Sequence, residues 1–311
     1  MRRWFVAAVL ALTAWIAGTV AGSFGVTTAA HGRVLFELGK AHAEYEPSLD
    51  GSDPIFILIL GSDSRPGTPV DRGLADSIHV LGINPAEGRA TLFGIPRDSW
   101  VPLATGGTGR INSVMPVGGP EKEIETVENL TGITFDYYML TGFKGLKRAV
   151  NELGGLTIDI PYTVVGDVRT FPAGVQKLDG PSALGYARTR HSLPLGDFDR
   201  SMNQGRLMIA ALSQFRSDFS KDPSQLFAWL GAGLRNVQTS LSIDELTRLA
   251  FLTGQVKPKN VTNLIATGTI GAMGTQSVVY LSQVNQPLFK DLADDGFILE
   301  KAIPATNQPS P

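Results

Sequence analysis

Ile55-Phe-Ile-Leu-Ile-Leu60 runs directly into Gly61-Ser-Asp-Ser-Arg65, so an unbroken apolar segment ends in small polar residues, a carboxylate and a guanidinium. A short apolar run bounded by Pro54 and Gly61 predicts a buried strand. Ser77 to Ile83 and Arg89 to Ile95 have the same character and read as further strands of one sheet. In open α/β sheets ligands bind beyond the carboxyl ends of strands, which is where Asp63 falls. The same aspartate also reads as a turn residue bonding its own backbone.

Downstream, the apolar period changes. Gly119 and Pro120, with Ile124, Val127 and Leu130 behind them, predict a helix that stops at Gly132. Phe135 to Leu140 reads as a strand. Phe143, Leu146, Val150 and Leu153 read as a helix closed by Gly154, and Leu156 to Ile160 as another strand. This is βαβ alternation and predicts an α/β domain. Asp179 and Pro181 open a helix through Ala187, and Phe198 to Phe219 is a long one. Of two further helical stretches, the second begins with Ser242 and Glu245 in capping-box spacing. Val261 to Ala266 and Ser277 to Leu281 read as strands, and Leu288 to Leu292 as a last helix.

Arg2 and Arg3 precede an uncharged stretch, 4–30, which is long enough to span a bilayer with residues 1–3 in the cytoplasm. Small residues at Thr28, Ala29 and Ala30 leave a cleaved signal peptide as the alternative. Both readings export the remainder and place it outside the cell membrane. The expected order is a single-pass signal anchor, a stalk over 31–53, one catalytic domain over 54–296 and a flexible tail over 297–311. The charge is nearly balanced, 27 Lys and Arg against 29 Asp and Glu, so no global field argues for nucleic acid as a partner. With no cysteine, disulfides and thiolate metal sites are excluded.

Cations therefore matter only where they cluster. Arg97 and Asp98 follow the third strand in Ile95-Pro-Arg-Asp98, with Arg110-Ile-Asn112 close behind. Tyr186-Ala-Arg-Thr-Arg190 ends one helix, and Asp197-Phe-Asp-Arg200 opens the next, with Gln204 one turn on. Arg188 and Arg190 point opposite ways on a helix, so both reach one ligand only if the chain leaves helical geometry near Thr189. Guanidinium forks suit phosphate. Ordinary surface pairing with Asp197 and Asp199 is the competing reading. Asp76 just before the second strand joins Asp63 in a metal site only if the loop between them folds back.

These stretches together, with Ala75-Asp-Ser77 and Leu153-Gly-Gly155, resemble the LytR-CpsA-Psr family of cell-wall ligases over about Pro54 to Gly296. The resemblance implies an α/β/α sandwich around a mixed central sheet. It implies a Mg²⁺-dependent phosphotransferase, with Mn²⁺ as a substitute ion. The donor it implies is a glycopolymer on polyprenyl pyrophosphate, and the acceptor is peptidoglycan or another wall polymer. By position, Asp63 and Asp76 would hold the metal, and Arg97, Arg188, Arg190 and Arg200 the pyrophosphate. Gln204 would assist and Asp197 would orient the arginines, while Asp63 or Asp98 would act as base. Two positions depart from the family pattern, since an arginine stands at Arg72 rather than before Ser62, and Asn203 precedes the glutamine.

A lipid tail needs an apolar cavity, for which Phe135, Tyr137, Met139, Phe143, Leu207, Met208 and Leu212 are candidates unless they are plain core. Rival functions use the same residues. A non-catalytic binder of polyprenyl pyrophosphate or anionic wall polymer needs the arginines only, and a pyrophosphatase would use water as acceptor. A transcriptional role is disfavoured by the net charge of −2 and by export.

Overall fold

The computed structural model describes residues 36–299 and 303, apart from 66, 168, 223, 226–228 and 230–236. The expected membrane segment at 4–30 lies outside them. No helix among the described residues is long and apolar enough to cross a membrane. The chain divides into two units, Met1–Arg33 and Val34–Pro311, and every described element belongs to the second.

Its central sheet comprises β1 (Phe36–Lys40), β2 (Ile55–Ser62), β3 (Ala75–Asn84), β4 (Arg89–Gly94), β5 (Tyr137–Gly142), β6 (Val237–Thr239) and β7 (Val261–Ile265). The order across it is β6-β1-β5-β2-β3-β4-β7. β2, β3 and β4 form an antiparallel meander, whereas β2 with β5 and β4 with β7 are parallel. The sheet is mixed because β3 and β4 are joined by a short turn through Gly88, while parallel neighbours need long crossovers. The helices are α1 (Met115–Thr131), α2 (Phe143–Glu152), α3 (Gly180–Arg188), α4 (Asp197–Lys221), α5 (Ile243–Gln255) and α6 (Asn285–Asp295).

β2 shows why its six apolar residues are continuous. Phe56, Leu58 and Leu60 pack with Ile124 and Val127 of α1 and with Leu288, Phe289 and Leu292 of α6. Ile55, Ile57 and Ile59 face the other way, onto Leu246, Leu249 and Leu252 of α5 and onto Met208 and Leu212 of α4. Strand side chains alternate between faces, so a sheet covered by helices on both sides needs an apolar residue at every position. Each such side chain contributes about 1.5–3 kcal/mol by burial. Phe135, Tyr137 and Leu207 belong to these packed clusters, and Met139, Met208 and Leu212 pack against them, so six of the seven candidate tail-lining positions are core.

Three local readings need correction. Phe36–Lys40, within the expected stalk, pairs with β5 and β6 as a strand of the central sheet. Its mixed composition hides it, because an apolar face of only Phe36 and Leu38 is too short a period to register. Ile298 and Ile303, expected in a flexible tail, are buried in the core beside α6. Leu156–Ile160 is a strand, but it pairs with Gly174–Leu178 outside the central sheet. The exposed Thr157 and Asp159 between buried neighbours mark a strand with only one covered face.

Helix starts follow their chemistry closely. Asp179 caps α3 by accepting from the Ser182 N–H, and Ser242 with Glu245 forms the expected capping box of α5. In α1 the anticipated start at Gly119 and Pro120 is a break inside the element, because Gly119 sits at φ 71°, ψ −174° after one extra turn. α3 lies so close to α2 that a Cβ at Gly180 would overlap the Lys147 carbonyl, while the Gly180 N–H donates to Asn151 Oδ1 at 2.7 Å. Gly180→Ala should therefore cost about 2 kcal/mol by forcing the helices apart. Urea denaturation checks this, and an unchanged midpoint would refute it.

Candidate active site

The site forms where β2 and β3 meet the start of α4. The loop after β2 folds back on the start of β3, as the metal reading requires. The Asp63 N–H donates to the Leu74 carbonyl at 3.0 Å, and Asp63 Oδ1 accepts from the Leu74 N–H at 2.8 Å. Asp63 does not close a local turn on its own backbone; its bonds hold it against Leu74, two residues before Asp76, with one carboxylate oxygen left for a ligand.

Arg97 is the hub. Its Nη1 donates to Asp76 Oδ1 at 2.6 Å, and its Nε lies 3.7 Å from both Asp98 Oδ2 and Asp197 Oδ1. Arg200 Nη2 contacts Asp197 Oδ1 at 2.5 Å without hydrogen-bond alignment and reaches the Asp76 carbonyl at 3.4 Å. Arg110 Nη1 donates to Asp98 Oδ1 at 3.4 Å, and the Asn112 N–H holds the Arg97 carbonyl. The Arg97 and Arg200 side chains are only 16% and 7% exposed, so these are not the surface pairs of the competing reading. Asp199 is not paired with an arginine among the described residues and instead accepts from the Leu195 N–H at the start of α4.

Burial and charge pull on this cluster in opposite directions. Burial lowers the Arg97 pKa, but the carboxylates of Asp76, Asp197 and Asp98 outweigh it and hold the guanidinium above its ordinary value. Burial dominates at Arg200, pulling it below the ordinary value, with Arg97 and Arg190 adding repulsion against the help of Asp197. Burial likewise raises Asp197 despite Arg200 and Arg97. The Nε atoms of Arg97 and Arg200 are buried and have no hydrogen-bond acceptor. Buried donors are nearly always satisfied, and the nearest counter-charges here are the Asp98 and Asp197 carboxylates, 3.7 Å from Arg97 Nε.

The other candidates are placed differently. α3 ends at Thr189, whose extended backbone (φ −60°, ψ 127°) frees Arg190 to act electrostatically on Asp197 and Arg200. Arg188 is exposed and stacks its guanidinium 4.7 Å above the Phe143 ring. Gln204 donates to the Ala187 carbonyl at 3.1 Å and so braces the end of α3 against α4. Among the described residues no three Asp, Glu or His side chains form a metal group. Asp63 and Asp76 alone supply two carboxylates, which fits a Mg²⁺ ion completed by ligand phosphates and water.

Residues 28–294 match the LytR_cpsA_psr family. The chain belongs to this family. Enterococcus faecalis TagU, a polyisoprenyl-teichoic acid–peptidoglycan teichoic acid transferase, is 29% identical over 217 residues, 70% of this chain and 71% of that protein. Bacillus subtilis TagV, of the same description, is 30% identical over 237 residues, 73% of this chain and 60% of that protein. The crystal structure of B. subtilis TagV aligns with a TM-score of 0.67 at 28% identity, covering 79% of this chain and 97% of that one.

In this LytR_cpsA_psr domain one supporting residue escapes the sequence reading. His79 lies inside β3, fully buried, in a run that reads only as strand. Its Nδ1 accepts from Ser77 Oγ at 3.1 Å, and its Nε2 donates to the Ser201 carbonyl at 3.2 Å. It thereby ties the neighbour of Asp76 to the neighbour of Arg200. Burial pulls its pKa down to about 4. In the unfolded chain it titrates near 6.5, so the unfolded state takes up the proton first and stability falls as pH drops from about 6.5 toward 4. The loss between pH 7 and pH 5 should be about 2 kcal/mol. His79→Gln should flatten that part of the profile in urea melts, and an equal slope in the variant would count against it.

Proposed function

We propose that this protein transfers a glycopolymer phosphate from a polyprenyl pyrophosphate-linked donor to a peptidoglycan acceptor, leaving a phosphodiester link. The observation that carries this is the convergence of two buried guanidinium groups on the start of β3, Arg97 on the Asp76 carboxylate and Arg200 on the Asp76 carbonyl. The transferase names of the relatives support the donor and acceptor classes.

In this reading Arg97 and Arg200 grip the pyrophosphate oxygens where charge builds as the bond to the lipid phosphate breaks. Asp197 holds both arginines in place, and Arg190 adds field. The acceptor hydroxyl attacks the sugar-proximal phosphorus, its proton passes to Asp63 or Asp98, and polyprenyl monophosphate leaves. Mg²⁺ held by Asp63 and Asp76, with Mn²⁺ as substitute, would neutralise phosphate charge. The positive end of the α4 dipole, which opens at Asp197, favours an anion there as well.

The test is to mix a polyprenyl pyrophosphate oligosaccharide with a peptidoglycan fragment and analyse products by mass spectrometry. A phosphodiester conjugate together with polyprenyl monophosphate supports transfer. Free glycan phosphate in its place would make the protein a pyrophosphatase, and unchanged donor would make it a binding module. Residues 4–30 would anchor the protein with its domain outside the cell. A reporter fused after Pro311 should then be active only on the outer side of the membrane, and a cytoplasmic signal would refute the topology.

A further inference from the structure

Tyr186 of α3 and Asn203 of α4 are both fully buried, and their side chains meet. The Tyr186 hydroxyl donates to Asn203 Oδ1 at 2.9 Å, and Arg206 Nη1, further along α4, donates to the same atom at 2.7 Å. An arginine only donates, so that atom is the amide oxygen. Arg206 is itself steadied over the Tyr162 ring, 5.5 Å from its centroid. Asn203 Nδ2 is buried without an acceptor, which costs stability, so packing alone does not account for an amide here.

This joint sits at the root of the active site. The bond from Tyr186 to Asn203 closes the stretch of chain that carries Arg188, Arg190, Asp197 and Arg200. Gln204, next to Asn203, closes it again at the Ala187 carbonyl. Arg190 lies beyond the end of α3, so the direction it takes depends on where that end is held. Its field reaches Asp197 and Arg200. The Tyr186 ring also packs edge-on against Phe171, with centroids 5.4 Å apart, so its apolar packing is separable from its hydrogen bond.

We propose that Tyr186 and Asn203 are positioning residues for the pyrophosphate site, whose hydrogen bond clamps the end of α3 to α4 and so aims Arg190 at the donor phosphates. The inference rests on the transferase reading and adds two residues that touch neither donor nor acceptor. A binding group has to be held within about 0.5 Å of its productive position, which side chains behind it must secure.

The test is the binding of geranyl pyrophosphate, measured by titration calorimetry on wild type, Tyr186→Phe, Arg190→Ala and the double variant. Tyr186→Phe keeps the ring against Phe171 and loses only the hydroxyl, and it should bind about five-fold more weakly, the scale of one neutral hydrogen bond. Arg190→Ala should bind about ten-fold more weakly. Adding Tyr186→Phe to it should change nothing further, because the clamp works through the arginine it aims. Asn203→Ala should behave as Tyr186→Phe does. Phe171→Leu loosens the same core cluster without touching the hydrogen bond, so it should lower the melting temperature and leave the affinity at the wild-type value. Wild-type affinity in Tyr186→Phe or in Arg190→Ala, or a Tyr186→Phe loss that persists in the double variant, overturns the positioning role. An equal loss of affinity in Phe171→Leu would reduce the effect to fold stability and overturn it too. Failure of wild type to bind geranyl pyrophosphate overturns the transferase reading, and this inference with it.

Discussion

Arg97→Ala should lower transfer at least about a thousand-fold, the scale on which a single preorganised charge-stabilising donor acts. Arg97 bonds Asp76 at 2.6 Å and lies between Asp98 and Asp197, so its loss removes a phosphate donor, takes the paired cation from Asp76 and weakens the field at the other two carboxylates. Breaking buried pairs of this kind also destabilises, by about 3 kcal/mol or more. Arg97→Lys separates the two effects. The charge beside Asp76 survives, so the melting temperature should stay within a few degrees of wild type. The two-pronged geometry does not survive, so transfer should still fall about a hundred-fold. Initial rates alongside thermal melts decide the matter. A lysine variant with wild-type rates would mean that Arg97 braces Asp76 and does not touch the pyrophosphate.

Glu123→Gln should stabilise the protein by about 3 kcal/mol at pH 7. Glu123 is fully buried in α1, and neither carboxyl oxygen has a hydrogen-bond partner. Burial pushes its pKa up to about 8, which the poorly aligned Met115 N–H offsets only in part. Unfolded, it titrates near 4.5, so the folded state holds a proton that the unfolded state has released. Stability should therefore fall as pH rises from about 4.5 to 8 and level off above that. The amide is neutral at every pH and keeps the volume, so the variant should lose this slope and melt several degrees higher near pH 7. Parallel pH profiles for the two proteins would refute the assignment.

Much of the site was legible as positions. Asp63, Asp76 and Arg97 could be placed at strand ends because apolar runs of strand length are local signals, and Asp179 and Ser242 could be placed as caps for the same reason. His79 and Glu123 were not legible. A buried titratable group inside an element follows no period, and its partners lie far away in sequence, as Ser201 does from His79 at a separation of 122 residues. The arginine cluster was half legible. The structure sets Asp76, Asp98 and Asp197 around Arg97, which holds it above its ordinary pKa, while burial pulls Arg200 below.

The sequence by itself determined where most strands and helices lie and which residues stand at the ends of β2, β4 and α3. Turn residues, caps and hydrophobic periods act over a few residues and need no partner. Only the tertiary structure decided that Phe36–Lys40 enters the sheet, that Leu156–Ile160 leaves it, and that Arg200 meets the Asp76 carbonyl across 124 residues of chain. Strand partners and ion pairs are chosen by which faces can be buried together. That choice is made by the packed core as a whole, and no short stretch contains it.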